Sequence, residues 1–330
     1  MDWKNKKVLV TGSEGFIGSH LVEKLLELGA NVKAFVMYNN QGKAGFLDSF
    51  SDEKKSKIKI IFGNILELGT LQRAFEDVEI VFHLAASISV PYSFENPEEV
   101  ISTNAIGTLN VLTAARSRNI KKLIITSSSE VYGSALFTPI TEEHPLQAQS
   151  PYAASKISGD KFAESFYKAF QMPVIIVRPF NTFGPRQSAR AVIPTIIMQA
   201  LKRDKIELGS LHPRRDFLFV KDTAAGFVKI AECGEEYHGR VFNLSTGQSQ
   251  SIGETAEKIL KIIGKNTPIV ADDKRLRPEK AEVNELLGDS QKIRTLANWK
   301  PEYTFEEGLK ETIKWIEQNI DLYEPERYYK

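Results

Sequence analysis

Two side chains able to handle a proton stand four residues apart in Pro151-Tyr152-Ala-Ala-Ser-Lys156, where a helical pattern over 151–170 sets them one turn apart on one face. Bringing a phenol from its ordinary pKa near 10 to neutrality takes about 4 kcal/mol. A neighbouring ammonium supplies part of that by favouring the phenolate. Upstream, an apolar run ends in Thr126-Ser127-Ser128-Ser129-Glu130-Val131-Tyr132-Gly133. Hydroxyls at such a strand exit can share a proton with Tyr152, and Glu130 is a candidate general base. A third pattern, Gly12-Ser-Glu-Gly15-Phe-Ile-Gly18, follows the first apolar run and opens an amphipathic one. Glycine permits a tight turn and close backbone approach, and a helix N-terminus offers free N–H groups to a pyrophosphate. The spacing is G-x-x-G-x-x-G, a variant of the dinucleotide fingerprint. A positively charged nicotinamide ring would add to the lysine in lowering the Tyr152 phenol.

These residues need a scaffold that brings distant strand ends together. Short apolar runs at 7–11, 32–36, 58–62, 80–84, 123–126 and 174–177 alternate with helical patterns near 16–28, 68–75, 97–117 and 151–170. Continuous apolar strands joined by helices imply a parallel sheet covered on both faces, and the right-handed crossover makes it doubly wound. The expected fold class is therefore α/β: a Rossmann sheet with a smaller, mixed α/β C-terminal substrate lobe. The Rossmann domain is expected over 1–180, with 223–245 returning to it, and the lobe over 181–222 and 246–330. Residues 40–57 are polar and Lys-rich and are expected to form a surface excursion without an element. Strands are expected at 216–220 and 240–244, and helices at 252–263 and 305–318.

The 330 residues carry a formal charge of +1, which leaves no electrostatic footprint for nucleic acid or an anionic membrane. No stretch is long and apolar enough to span a membrane. One cysteine and five histidines without paired ligand spacing give the expectation of a metal-free protein of a reducing, cytoplasmic compartment. A ribose-binding carboxylate or a phosphate-binding arginine is expected just after the second strand. The sequence there, Val36-Met-Tyr-Asn-Asn40, has neither. Lack of a basic group favours NAD over NADP, with Lys43 near enough in sequence to keep NADP open.

Together, Gly12–Gly18, His83-Leu-Ala-Ala86, Asn104, Ser128, Tyr152/Lys156 and Arg178-Pro-Phe-Asn181 resemble the extended short-chain dehydrogenase/reductases over nearly the whole chain. Within that group, residues 129–133, 178–186 and Arg275-Leu-Arg-Pro-Glu-Lys280 are similar to the nucleotide-sugar 4,6-dehydratases, and among these to members of the legionaminic and pseudaminic acid pathways. The resemblance implies that Gly12, Gly15, Phe16, Ile17 and Gly18 line the cofactor pyrophosphate. It places Asn64 and Ile65 at the adenine, and Leu84, Ala85 and Ala86 beneath the nicotinamide side. Ser128, Tyr152 and Lys156 become the hydride-transfer triad, with Thr126 and Asn104 beside the cofactor. Asn181, Arg215 and Arg277 would grip the nucleotide or its pyrophosphate, and Ser87 and a Pro91-Tyr92 loop would face the sugar. A homodimer joined through helices 97–117 and 151–170 is also implied.

One position departs from that group, which carries Asp-Glu where this chain has Ser129-Glu130. In the group's chemistry C4 is oxidised, the glutamate removes the acidified C5 proton, and the aspartic acid protonates the leaving C6 hydroxyl. Ser129 is a poor acid for that step. Either water, Glu130 or Ser129 substitutes for it, or the substrate is a 5,6-unsaturated sugar whose C6 oxygen has already gone. Both routes end at a 4-keto-6-deoxy sugar, and the resemblance implies a UDP-linked N-acetylhexosamine substrate. A 4-epimerase, which re-reduces the ketone from its other face, is the enzymatic alternative. A cofactor-sensing regulator on the same fold is the non-enzymatic one.

Overall fold

The computed structural model describes residues 1–272, 275 and 282–323. The sheet side of the chain runs β1 (Lys7–Thr11), α1 (Phe16–Glu27), β2 (Asn31–Met37), α2 (Asp52–Lys55), β3 (Ile58–Gly63), α3 (Leu68–Ala74), β4 (Ile80–His83), α4 (Val90–Glu95), α5 (Pro97–Ile101), α6 (Gly107–Ser117), β5 (Lys122–Thr126), α7 (Pro151–Phe170) and β6 (Val174–Pro179). The lobe adds β7 (Asn181–Phe183), α8 (Val192–Lys202), β8 (Ile206–Leu208), β9 (Arg214–Arg215) and β10 (Phe217–Phe219). The chain then returns to the sheet with α9 (Val220–Glu232) and β11 (Val241–Leu244). It leaves again through β12 (Gln250–Ser251), α10 (Ile252–Ile263), β13 (Ile269–Ala271), β14 (Glu285–Leu286), α11 (Gln291–Leu296) and α12 (Phe305–Gln318).

Seven parallel strands lie in the order β11-β6-β5-β4-β1-β2-β3. The order reverses between β1 and β4, and ligands of doubly wound sheets bind in the crevice at such a switch point. One face buries Val8, Val10, Leu21, Leu25, Phe82 and Phe227 under α1 and α9. The other buries Leu9, Phe35, Leu71, Leu112, Leu123 and Ile176 under α3, α6 and α7. Both faces are thus dry, which explains strands that read as unbroken apolar runs. The lobe has its own core, in which Ile196, Ile197, Ile259 and Ile313 of α8, α10 and α12 meet Phe183 and Phe219.

Three local expectations change. The 40–57 stretch is not featureless: a 3₁₀ turn spans Gly45–Ser49, followed by α2. Ala44, Leu47 and Phe50 are buried at a spacing of three, the period at which 3₁₀ side chains eclipse. The helix expected over 97–117 is interrupted by a π turn at Ser102–Ile106. The strand expected at 216–220 is shorter, because the Asp216 carboxylate turns inward to accept from the Thr246, Gly247 and Gly288 amides, and Val220 already opens α9.

A buried ion pair fixes α7 to the sheet. Arg178 of β6 donates through Nε and Nη2 to Asp160 Oδ2 of α7 at 3.0 and 2.9 Å. Its Nη1 donates to the Tyr132 hydroxyl, which donates onward to Asn243 Oδ1 of β11. The Asp160→Ala variant leaves a guanidinium buried without its counter-charge and is expected to lose about 3–5 kcal/mol of stability. Denaturant unfolding checks this: the midpoint should fall with the slope unchanged. Adding Arg178→Met should recover part of the loss.

Candidate active site

The glycine turn is built for close approach. Gly12 sits at φ +67°, and a Cβ there would lie 2.7 Å from the Ala85 amide nitrogen. A Cβ on Gly18 would lie 2.1 Å from the Gly12 carbonyl oxygen. The three glycines therefore let β1, α1 and the loop after β4 touch backbone to backbone. No side chain caps the N-terminus of α1 and its first turn holds no acid, so its amides stay available to an anion.

One hydrogen-bond chain links this turn to α7. Thr11 Oγ1 accepts from the Leu84 and Ala85 amides, so its own proton goes to His83 Nδ1 at 2.8 Å. Thr108 Oγ1 likewise spends its proton on the Asn104 carbonyl and takes that of His83 Nε2 at 3.1 Å. His83 is thereby held as the neutral Nε2–H tautomer, and burial, with Lys156 nearby, pushes its pKa down to about 3. The π turn carries Asn104, whose Nδ2 donates to the Ser87 carbonyl and to Ser155 Oγ, both at 2.9 Å. Ser155 in turn donates to the Tyr152 carbonyl.

Helix α7 starts where Ser150 Oγ caps the Ala153 amide and Pro151 takes the first position, which puts Tyr152 in the first turn and Lys156 one turn on. The Tyr152 phenol is hydrogen-bonded to Ser128. Ser128 Oγ also accepts the Glu130 amide at 3.2 Å, at the head of a 3₁₀ turn over Ser129–Tyr132. Burial pushes the Tyr152 phenol up to about 12, the Ser128 bond opposing this and the Glu130 charge adding to it. Lys156 donates from Nζ to the Thr126 carbonyl at 2.9 Å, and burial pushes its pKa down to about 8, against the pull of Asp160. The pair thus holds the phenol's proton firmly and the ammonium's loosely.

All these groups open on one cavity of about 1390 Å³. Single small-molecule sites occupy about 300–1,000 Å³, so this one has room for two large ligands side by side. Gly12, Gly15, Phe16, Ile17, Gly18, Asn64 and Ile65 line it. Leu84, Ala85, Ala86, Ser87, Thr126, Ser128, Ser129, Glu130, Tyr152 and Lys156 line it too, as do Asn181 and Arg215. Ser129 is buried while Glu130 stays half-exposed on the wall. Asn181 Oδ1 is buried and takes no hydrogen bond from the described residues. Arg215 donates to the Arg214 and Val283 carbonyls and lies 3.7 Å from Glu282.

Some placements differ from expectation. Asn104 is not on the cavity wall but behind it, acting through Ser87 and Ser155. The Pro91-Tyr92 loop is instead part of helix α4, with Pro91 in its first turn and Ser89 as its cap. Pro91 lines the cavity, whereas Tyr92 does not, and its hydroxyl donates to Glu99. Arg277 lies outside the described residues, and Arg275 of the same motif lines the cavity. Sequence reasoning passed over Glu14, which lines the cavity. A carboxylate between two glycines of the turn was its signal.

Among the described residues no group of three or more His, Cys, Asp or Glu is placed to hold a metal, and no helix is long and apolar enough to cross a membrane. The cradle instead fits a dinucleotide, because its glycines leave the backbone room that a Cβ would fill.

Residues 9–312 match the family model of the GDP-mannose 4,6-dehydratases. The dTDP-D-glucose 4,6-dehydratase of Mus musculus is 32% identical over 327 residues, covering 96% of this chain and 90% of its own. The UDP-N-acetylglucosamine 4-epimerase of Methanobrevibacter ruminantium M1, solved with UDP-N-acetylmuramic acid, superposes with a TM-score of 0.86 at 32% identity, over 96% of this chain and 99% of that one. The dTDP-glucose 4,6-dehydratase of Bacillus anthracis, solved with NAD, gives 0.84 at 29% identity, over 98% and 100%. A chain matched from its first strand to its last helix, with the glycine cradle and the Tyr152/Lys156 pair on one cavity, belongs to the GDP-mannose 4,6-dehydratase family of extended short-chain dehydrogenase/reductases.

Proposed function

We propose that this protein is an NAD-dependent enzyme that turns a UDP-linked N-acetylhexosamine into its 4-keto-6-deoxy form, for bacterial nonulosonic acid (pseudaminic or legionaminic) or other surface-glycan synthesis. The observation that carries the reading is Glu130 on the same cavity as Tyr152, its backbone amide held by the Ser128 hydroxyl that also meets the phenol. A phenol suffices for oxidation at C4, whereas a second, carboxylate base has work only if the C5 proton moves. The cavity volume suits a dinucleotide beside a nucleotide sugar, and one solved relative holds a UDP-linked N-acetyl sugar acid. The protein would act as a homodimer in the cytoplasm.

NAD would supply the hydride acceptor at C4 and the donor that returns it to C6. Gly12, Gly15 and Gly18 would seat its pyrophosphate, and Ala85 and Ala86 its nicotinamide side. Tyr152 would take the C4 hydroxyl proton, with Ser128 sharing it and Lys156 favouring the phenolate. Glu130 would remove the C5 proton and later return it. Asn181, with a buried carbonyl oxygen unfilled, and Arg215 would hold the nucleotide and its diphosphate. If the C6 oxygen leaves here as water, the proton it needs must come from Glu130 or from water. Ser129 offers only a hydroxyl of ordinary acidity.

Ser129 is also the observation that favours a second reading, 4-epimerisation, which needs no acid at C6. Product analysis in deuterated water separates them. With UDP-N-acetylglucosamine, its dTDP and GDP counterparts and the 5,6-unsaturated sugar nucleotide as substrates, NMR and mass spectrometry should show a 4-keto product labelled at C5. From a saturated substrate it should have lost one water. A product of unchanged mass without label would establish the epimerase.

A further inference from the structure

The end of β2 lacks the carboxylate that usually receives the adenosine ribose in this fold class. Asn39 cannot serve instead, because its side chain closes its own loop, taking the Lys43 amide at 2.9 Å and donating to the Lys43 carbonyl at 2.8 Å. Tyr38 points outward and is 67% exposed.

A carboxylate does reach this place, from a different element. Glu14 leaves the glycine turn and sets Oε1 on the Met37 amide, the last of β2, at 2.9 Å. Its position is built from both ends. The Phe46 amide donates to the Glu14 carbonyl at 3.1 Å, and Gly45 packs so closely that a Cβ would lie 2.7 Å from that oxygen. The side chain shares the cavity wall with Met37, Gly63 and Asn64. Its Oε2 is buried without a hydrogen-bond donor. Burial raises the carboxyl's pKa, with the Met37 amide opposing. A carboxylate accepts about four hydrogen bonds, and the torsion that turns its two oxygens is soft. Glu14 therefore has acceptor capacity to spare at a point where a ribose would arrive with hydroxyls.

We propose that Glu14 is the ribose carboxylate of this enzyme, relocated from the strand end to the glycine turn, where it accepts the adenosine 2′-hydroxyl of NAD and repels the 2′-phosphate of NADP. The assignment rests on the dinucleotide reading above and adds a specificity residue to it. The surrounding charge agrees. Lys43, the one lysine or arginine between residues 36 and 46, is exposed and does not line the cavity. A 2′-phosphate would thus meet the Glu14 carboxylate, and like charges brought together in this way cost several kcal/mol.

Calorimetric titration of the full-length protein with NAD, NADP and NAD carrying a 2′-deoxyadenosine tests it. Wild type should bind NAD at least about 100-fold more tightly than NADP. The 2′-deoxy cofactor should bind about 10- to 100-fold more weakly than NAD, the range for a hydrogen bond to a charged group. Glu14→Gln, which keeps an acceptor for the Met37 amide, should lose at least about 10-fold in NAD affinity and narrow the NAD/NADP ratio by at least as much. In that variant the 2′-hydroxyl should matter less than in wild type. Equal binding of NAD and the 2′-deoxy form by wild type would overturn the assignment. So would an unchanged NAD/NADP ratio in Glu14→Gln, or a wild-type preference for NADP. Binding of neither cofactor by folded wild type would sink the dinucleotide reading itself, and Glu14 with it.

Discussion

Tyr152→Phe is expected to lower kcat by about 10²- to 10⁴-fold, the range for loss of a positioned proton-transfer group, while cofactor and substrate affinities stay within a few fold. The phenol makes one hydrogen bond, to Ser128, and the ring stays packed beside Val90 and Val100. Steady-state turnover with separate measurement of KM checks this, and a kcat within a few fold of wild type would remove Tyr152 from catalysis. The pH dependence carries more information. With the phenol near 12, a fraction on the order of 10⁻⁵ is ionised at pH 7, so the site works only if positive charge arrives beside it. Lys156 provides some, and in the free protein it loses its proton near pH 8. A lowered lysine is charged below that value and neutral above it. Because kcat/KM reports groups of the free enzyme, it should fall above about pH 8, and that alkaline limb should vanish in Lys156→Met. The same variant should push the acid limb of kcat upward by about one to three pH units, since the phenolate then lacks its counter-charge.

The sequence exposes this machinery unevenly. Strands buried on both faces write themselves as apolar runs, and an N-capped helix opened by Pro151 announces where Tyr152 begins. Such signals are local, as is the glycine turn, whose need for backbone contact can be read at Gly12 without knowing that Ala85 is the partner. Relations across space are not written this way. Asp160 and Arg178 are ordinary charged residues until a strand and a helix bury them together. The π turn at Ser102–Ile106 lies inside a pattern helical throughout, and nothing in its composition says that one extra residue swings Asn104 behind Ser87. Glu14 shows the same limit in the site. A search along the chain looks for the ribose carboxylate after the second strand. The fold lets the first βα turn supply it, because β1 and β2 are neighbours and their carboxyl ends coincide. Residues 44, 47 and 50 could have been recognised, since a spacing of three among polar neighbours is the mark of a buried 3₁₀ face.

Glu130→Gln separates proton chemistry at C5 from oxidation at C4. Glutamine keeps the backbone amide on Ser128 and nearly the same shape, and removes only the ability to take a proton. Tyr152 and Lys156 remain, so oxidation at C4 should continue and reduced cofactor should build up to a level set by its equilibrium. Release of the 4-keto-6-deoxy product, and deuterium uptake at C5, should fall together by about 10²- to 10⁴-fold. The charge change has a second, opposite consequence. The Glu130 carboxylate raises the Tyr152 phenol, so its removal eases phenolate formation and should shift the acid limb of C4 oxidation to lower pH. Single-turnover absorbance of the reduced cofactor and NMR of C5 read the two effects independently. Were the enzyme an epimerase, Glu130→Gln would keep its turnover, no reduced cofactor would accumulate, and wild type would show no label at C5. A variant that oxidises C4 faster at low pH yet releases no product would assign the phenol to C4 and the carboxylate to C5.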